Sequence, residues 1–399
     1  MEAKGAPLSD DIILAKAQAL GASLGQAGTP LPSNFKFSLD WLNRFKRSRG
    51  ISFQPQHGEA QGADLNSVAN IRRYGPILIE HFGIDHSHNM DETGLFWKRL
   101  PSRSLVTRKR AGRKLAKDRF TLCVTTSASG NKFPLLAIGK AKRPRCFGKK
   151  WVPSNIGIPY TNSTKAWQTG ETFTHFLHLF ASWVETAGEE LLFLDNAGSH
   201  VRPNNAKALP KWIRDLGCNG FVWRNVTVVF LDPNATAIAQ PADQGMIAAL
   251  KAYYKRRFLT FLVAELEEGG ASVDNFKLDI RMALGMCKSA WDEVSTECVR
   301  NCWRKAEVLP LLDGMDARAD SQAIGSRRGI KVGRLNIPAE AAQCVDLLAT
   351  LLGHLSLDKT DIATFIADPD EDDIEEPPSD EALVLEALNT GKGTRIHSS

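Results

Sequence analysis

Four apolar residues, LLFL at 191–194, run straight into the polar stretch DNAGSH, and a second apolar run, VTVVFL at 226–231, ends in the same abrupt way. Short unbroken apolar runs bounded by turn residues fit strands buried on both faces. Strand-like segments at 86–92, 104–108, 120–127 and 132–139 precede them. Helical periodicity predicts helices over 66–82, 171–187, 243–267 and 275–305, the last carrying Trp291 and Trp303 as core. This order of strands and helices implies an α/β fold, a three-layer domain with a mixed sheet flanked by helices over residues 66–310.

The first 50 residues have a different pattern. Ser9 or Asp10 can cap a helix running to about Leu24, with Ile13, Leu14, Ala17, Leu20 and Leu24 at helical spacing. After a Gly/Pro/Ser loop at 25–33, Ser38 is placed to cap a second helix. Leu39, Trp41, Leu42 and Phe45 form its packing side, and Lys46, Arg47 and Arg49 give it a basic end before Gly50. A small all-α unit at 1–50 is therefore expected, joined by a polar linker at 51–65. Residues 311–399 read as an extension, with ADPDEDDIEEPPSDE at 367–381 too acidic and too poor in apolar residues to fold.

Composition narrows the class. The chain has 399 residues, 43% hydrophobic and 24% charged, which suits a soluble globular protein. It lacks an apolar run of the roughly 18 residues needed to span a bilayer, and MEAKGAPLSDD lacks a signal-peptide core. Seven cysteines without a C-x-x-C pair point to reduced thiols. Cys298 and Cys302, one helical turn apart, have no second ligand pair nearby and read as packing residues. The net charge is +5, but it is unevenly spread: Lys98 to Lys150 holds 17 Lys and Arg against Asp118 alone, whereas Asp358 to Glu386 holds 12 acids against Lys359 alone. The basic run suits a polyanionic partner. The competing account is a surface strand pair whose lysines guard its edges.

Three acids stand at element ends: Asp91 in HNMDETG, Asp195 closing its strand, and Asp243 after Pro241, where a helix is expected to begin. Rigid element ends are where α/β folds expose functional groups. Singly, such an Asp is more often a cap or turn residue. Together the three would form an oxygen-rich site for Mg²⁺ or Mn²⁺, and a pair of ions so held can drive phosphodiester chemistry. DETG also mimics a nucleotide-binding D-x-x-G, but the chain has no G-x-x-x-x-G-K-[ST] loop.

These segments resemble a known family. NMDETGLFWKRLPSRS, KDRFTLCVTTSASGNKFPLLAIGKAKRPRCF, LLFLDNAGSH, VTVVFLDPNATAIAQPADQGMIAALKAYYKRRF and NCWRKAEV are similar, in order, to the core blocks of the DDE endonuclease domain of pogo/Tigger-type transposases. PLSDDIILAKAQAL and FKFSLDWLNRFKRSRGIS resemble the centromere-protein-B-type helix-turn-helix that accompanies it. The resemblance implies an RNase H-like fold, and metal-dependent cutting and joining of DNA in the nucleus. It makes Asp91, Asp195 and Asp243 the catalytic, metal-binding acids, with Asn196, His200 and Gln244 supporting them. It implies two Mg²⁺ or Mn²⁺ ions, DNA as partner, a possible homodimer, and neither a membrane nor a small-molecule cofactor. DNA contacts are expected from Lys46, Arg47 and Arg49, from Arg108, Lys109, Arg110, Arg113 and Lys114, and from Lys251, Lys255 and Arg256.

Some features depart from the family pattern. The chain is expected to start inside the paired helix-turn-helix, N-terminally truncated, which predicts weaker and less specific DNA binding. The 48-residue step from Asp195 to Asp243 implies an insertion near 201–225, either a functional loop or a tolerated surface addition. Asp232 is expected to disturb the charge balance near Asp243. The alternative function is a domesticated or decayed derivative that binds DNA in the nucleus without catalysis. A scaffold acting through the acidic tail has little else behind it.

Overall fold

In the computed structural model, the described residues are 10–26, 35–48, 63–100, 118–149, 155, 157–184, 188–267, 276–310, 330–332 and 335–337. The chain divides into two compact units, Met1–Gln56 and His57–Ser399. The first holds α1 (Asp10–Gln26) and α2 (Leu39–Ser48). Ser38 accepts the backbone N–H of Trp41 at 3.2 Å, the cap expected for α2. Leu42 is fully buried, and Trp41 stacks on Phe45 at 5.3 Å between centroids.

The second unit opens with α3 (Leu65–Phe82), followed by β1 (Ser87–Phe96), β2 (Arg119–Ser127), β3 (Leu136–Gly139) and β4 (Tyr160–Asn162). Next come α4 (Gly170–Trp183), β5 (Glu190–Leu194), β6 (Lys207–Ala208), α5 (Lys211–Asp215), β7 (Asn219–Trp223) and β8 (Val226–Phe230). α6 (Thr236–Ala239), α7 (Met246–Glu267), α8 (Ile280–Glu293), α9 (Thr296–Ala306) and a short antiparallel pair, β9 (Ile330–Val332) with β10 (Leu335–Ile337), complete it. Side-chain caps start the helices locally: Asp64 for α3, a Thr169/Thr172 capping box for α4, Asp279 for α8 and Ser295 for α9.

Eight strands form one sheet in the order β4-β3-β2-β1-β5-β8-β7-β6. β1, β2 and β3 are antiparallel neighbours, and β5 and β8 run parallel to β1. That central 3-2-1-then-parallel arrangement is the RNase H-like pattern. Alternation along the strands feeds two cores, one on each face. Leu95, Phe120, Leu122, Val124, Leu191 and Phe193 pack on the side of α3, α7, α8 and α9, whereas Met90, Cys123, Leu192 and Leu194 pack against α4. Trp291 and Trp303 lie in the first core, as expected, and so do the buried cysteines Cys298 and Cys302.

The segment 201–225 is more than a surface loop. β6, α5 and β7 extend the sheet by two strands, with β7 joined to β8 through a two-residue turn at Arg224 and Asn225. Arg224 has φ 54°, the left-handed geometry such hairpins require. Gly220 has φ 153°, and a Cβ there would meet the Val228 carbonyl oxygen at 2.0 Å, so only glycine fits this close strand approach. The strand-like segment expected at 104–108 lies outside the described residues.

Candidate functional site

The register between β1 and β5 brings the first two acids together. Asn89 pairs with Phe193, so two residues further along Asp91 comes level with Asp195, just past the end of β5. Equal parity puts both on the face that carries α7. Adjacent strands lie about 4.8 Å apart.

Asp243 arrives from a 3₁₀ turn, Ala242–Gln244, which Pro241 starts and Gly245 (φ 135°) ends before α7 begins. Asn89 ties this turn to the sheet. Its Nδ2 donates to the Phe193 carbonyl at 3.0 Å, and its Oδ1 accepts the backbone N–H of Ala242 at 2.9 Å. Asn89 is 1% exposed. A buried amide satisfied at both ends holds its partners in a fixed geometry.

Electrostatics report the convergence. Burial pushes the Asp91 carboxyl well above its ordinary range, and the charges of Asp243, Asp195 and Glu92 push it the same way. A hydrogen bond to Asp243 raises it further. The Glu92 backbone N–H donates to Asp91 Oδ1 at 2.9 Å.

His200 links two more carboxylates. Its Nε2 lies 2.9 Å from Glu92 Oε1, and its Nδ1 lies 2.9 Å from Asp195 Oδ1 and 3.1 Å from the Asp195 carbonyl oxygen. The ring is fully buried and packs on Phe173 at 4.7 Å. Burial disfavours an imidazolium here, but Glu92 and Asp195 outweigh it and raise the His200 pKa well above its ordinary value. Nε2 is hydrogen-bonded to Glu92 and Nδ1 is ion-paired with Asp195, and the ligand atoms of the trio lie within 4.8 Å of one another. The Nδ1–H points to the carbonyl, so Asp195 Oδ1 is buried with its hydrogen-bonding capacity unfilled. That orphaned oxygen, among three converging aspartates, fits a hard divalent cation.

The other expected site residues fall in several places. Asn196 is exposed beside the cluster. Gln244 is buried, its Nε2 donating to the carbonyls of Ala237 and Gln240 at 3.2 Å each, so it braces the turn that carries Asp243. Lys251 and Lys255 were expected to face DNA or solvent, but both are buried on α7, at 6% and 2% exposure. Arg256 donates twice to Glu293 of α8, at 2.5 and 2.6 Å, and Arg257 joins it at 2.6 Å. Arg256 and Arg257 thus tie α7 to α8. Asp232 turns toward α3 and accepts from Asn70 Nδ2 at 2.6 Å, away from the Asp243 charge balance it was expected to disturb. Lys46 lies half-buried on α2. The side chain of Arg47, and residues Arg49, Arg108, Lys109, Arg110, Arg113 and Lys114, lie outside the described residues.

Sequence reading passed over Asn89 and Glu92. The only sequence cue was their adjacency to Asp91 in HNMDET; their partners lie more than a hundred residues away.

An RNase H-like sheet with acids from the middle of β1, from just past the end of β5 and from the turn before α7 has the arrangement expected of a DDE-type endonuclease domain. Residues 117–303 match the family described as DDE superfamily endonuclease, and residues 1–55 match the Tc5 transposase DNA-binding domain. The chain is thus similar, over these two stretches, to a DDE endonuclease and to a transposase DNA-binding domain. ARS-binding protein 1 of Schizosaccharomyces pombe is 28% identical over 295 residues, covering 71% of this chain and 52% of that protein. Tigger transposable element-derived protein 4 of Mus musculus is 25% identical, covering 75% and 54%. CENP-B homolog protein 2 of Schizosaccharomyces pombe is 29% identical, covering 60% and 45%. The chain thus spans about half the length of the curated relatives it matches. Among solved structures, a Mos1 transposase paired-end complex aligns at 12% identity with a TM-score of 0.32, over 76% of this chain and 81% of that one. No helix among the described residues is long and apolar enough to cross a membrane.

Proposed function

We propose that this protein is a nuclear DNA endonuclease and strand transferase of the transposase type, using Asp91, Asp195 and Asp243 to hold two Mg²⁺ or Mn²⁺ ions. The observation that carries this reading is the register that sets Asp91 level with Asp195, with the Asp243 turn tied to the same strand through Asn89; the neighbouring charges raise the Asp91 pKa accordingly. Like charges so close are unfavourable without a cation, and perturbed, clustered carboxylates mark functional sites. Divalent ions, when bound, supply Lewis acidity for the attacking water or DNA 3′-hydroxyl and offset charge on the leaving oxygen. The protein's own part is orientation: Asn89 holds the Asp243 turn, and Glu92, through His200, holds Asp195. The basic run from Lys98 to Lys150 would neutralise DNA phosphates, and α1 and α2 would belong to the DNA-reading unit. Work on paired DNA ends would call for a homodimer.

A second reading is a DNA-binding protein without catalysis, favoured by relatives whose names record ARS binding and likeness to CENP-B. Incubating the protein with supercoiled plasmid and Mn²⁺ separates the two. Nicking that disappears in Asp195→Ala supports the endonuclease, whereas DNA binding without nicking supports the second reading.

A further inference from the structure

At the end of the sheet toward which β1 runs, Phe96 pairs with Arg119, and the β2–β3 register carries on to set Arg119 across from Lys140. β4 ends on the same edge, since Gly139 pairs with Asn162, and the loop 163–168 follows. The segments 96–99, 118–119, 139–142 and 162–168 bring Lys98, Arg99, Arg119, Lys140, Lys142 and Lys165 to this edge, against Asp118 alone. Lys140 and Lys165 are exposed.

One of these cations is set in a built site. The Arg119 guanidinium lies 3.7 Å from the centroid of the Trp167 ring. Trp167 is itself fixed: Ser163 Oγ donates to its carbonyl at 2.6 Å and accepts its N–H at 2.8 Å. Thr121 Oγ1 donates to the Ala166 carbonyl at 2.8 Å, holding Ala166 at φ 57°, a conformation that costs energy outside glycine. Among the described residues, Arg119 Nη2 and, one residue beyond Trp167, Gln168 Nε2 are both buried N–H groups with no acceptor. Burial lowers the Arg119 pKa to about 10, with no carboxylate among the described residues raising it, so the guanidinium stays charged at neutral pH. Orphaned donors and an unpaired, stacked guanidinium are costly unless an anionic acceptor arrives.

We propose that this strand-end edge, anchored by Arg119 on Trp167 with Lys140 and Lys165 beside it, is a phosphate-binding surface for duplex DNA running away from the acidic cluster. It rests on the endonuclease reading and extends it to a distance. Five strand residues separate Asp91 from Phe96, about 17 Å at 3.3–3.4 Å each. That distance corresponds to roughly five nucleotides along one DNA strand.

The test uses the full chain, a supercoiled plasmid and a 30-base-pair duplex. Two variants are compared with the wild type: Lys140→Ala/Lys165→Ala, at exposed positions that leave the fold intact, and Arg119→Lys, which keeps charge but not the planar stack. The double variant is expected to bind the duplex with a log affinity–log salt slope shallower by about 1.8, or roughly 0.9 per lost phosphate contact. Phosphate-ethylation interference is expected to weaken about five nucleotides from the nick in both variants. If wild-type nicking persists but slope and interference are unchanged in both, this surface is refuted and the endonuclease reading stands. If the wild type binds duplex but never nicks it, the endonuclease reading fails, and a retained slope change then keeps the surface. A wild type that binds no duplex refutes both.

Discussion

β1 and β5 carry a histidine–carboxylate arrangement at each end, and the two behave in opposite ways. At the start of β5, Glu190 sits fully buried between two histidines, 2.9 Å from His86 Nδ1 and 2.5 Å from His88 Nε2. Past the end of β5, His200 sits fully buried between two carboxylates, with Asp91 and Asp243 close by. One carboxylate is shared by two imidazoles in the first site, where Phe133 and Phe180 pack on His88 and its Nδ1 is buried without a hydrogen-bond partner among the described residues. One imidazole shared by two carboxylates, with two more acids beside it, leaves the second site with surplus negative charge and an unfilled Asp195 oxygen. The pKa shifts follow. Burial lowers that of His88 in spite of Glu190, while Glu92 and Asp195 raise that of His200 in spite of burial. The same residue types therefore make a structural clasp or a candidate ion site according to which partner is in excess.

Asp195→Asn breaks this contrast most sharply. Metal-dependent nicking should fall by more than the roughly 10–100-fold that an outer-shell residue commands. Thermal stability without metal should change little, since the relief of repulsion on Asp91 offsets the lost ion pair with His200; a large drop in melting temperature would instead make Asp195 structural. At the other end, Glu190→Ala should reverse the pattern. It should cost about 3 kcal/mol or more in urea unfolding, because a buried pair is broken, and leave Mn²⁺ affinity unchanged.

Glu92→Ala sharpens the comparison, because it removes the Glu92–His200 contact while sparing the three aspartates. Mn²⁺ affinity, read by paramagnetic resonance of the free ion, should weaken about 10–100-fold. Glu92→Gln retains an acceptor for His200 and should recover most of the loss; equal loss in both variants would remove the orienting role.

The smallest effect is the pH profile of stability. His88 resists protonation when folded, so below its ordinary value of 6.5 the unfolded chain binds more protons and stability falls with pH. The slope reaches at most about 1.4 kcal/mol per pH unit. His200, raised above 6.5, acts oppositely: its contribution is complete below 6.5 and is lost as pH rises through its folded value. Unfolding curves of His88→Gln should lose the acid-side fall alone.

β2, β5 and β8 were legible because each is an apolar run whose pattern is local, whereas the three-residue β4, Tyr160–Asn162, carries no such run. Asn89 and Glu92 were not legible, since their meaning rests on Ala242 and His200, which no local pattern links to β1. Lys251 and Lys255 misled because a charge in a helical repeat reads as a solvent face, whereas both residues are buried. The insertion hid two strands because its tight hairpin turns on Arg224–Asn225 rather than on an Asn-Gly signal.

Asn89 carries a further consequence. It connects the first strand of the sheet to a turn 153 residues later in the chain, so the third acid takes its post only when both have been synthesised and docked. A nascent or partly unfolded chain would own two of the three aspartates and still lack a working blade. For a protein that would cut DNA, such late assembly acts as a safety catch, written into a single amide side chain.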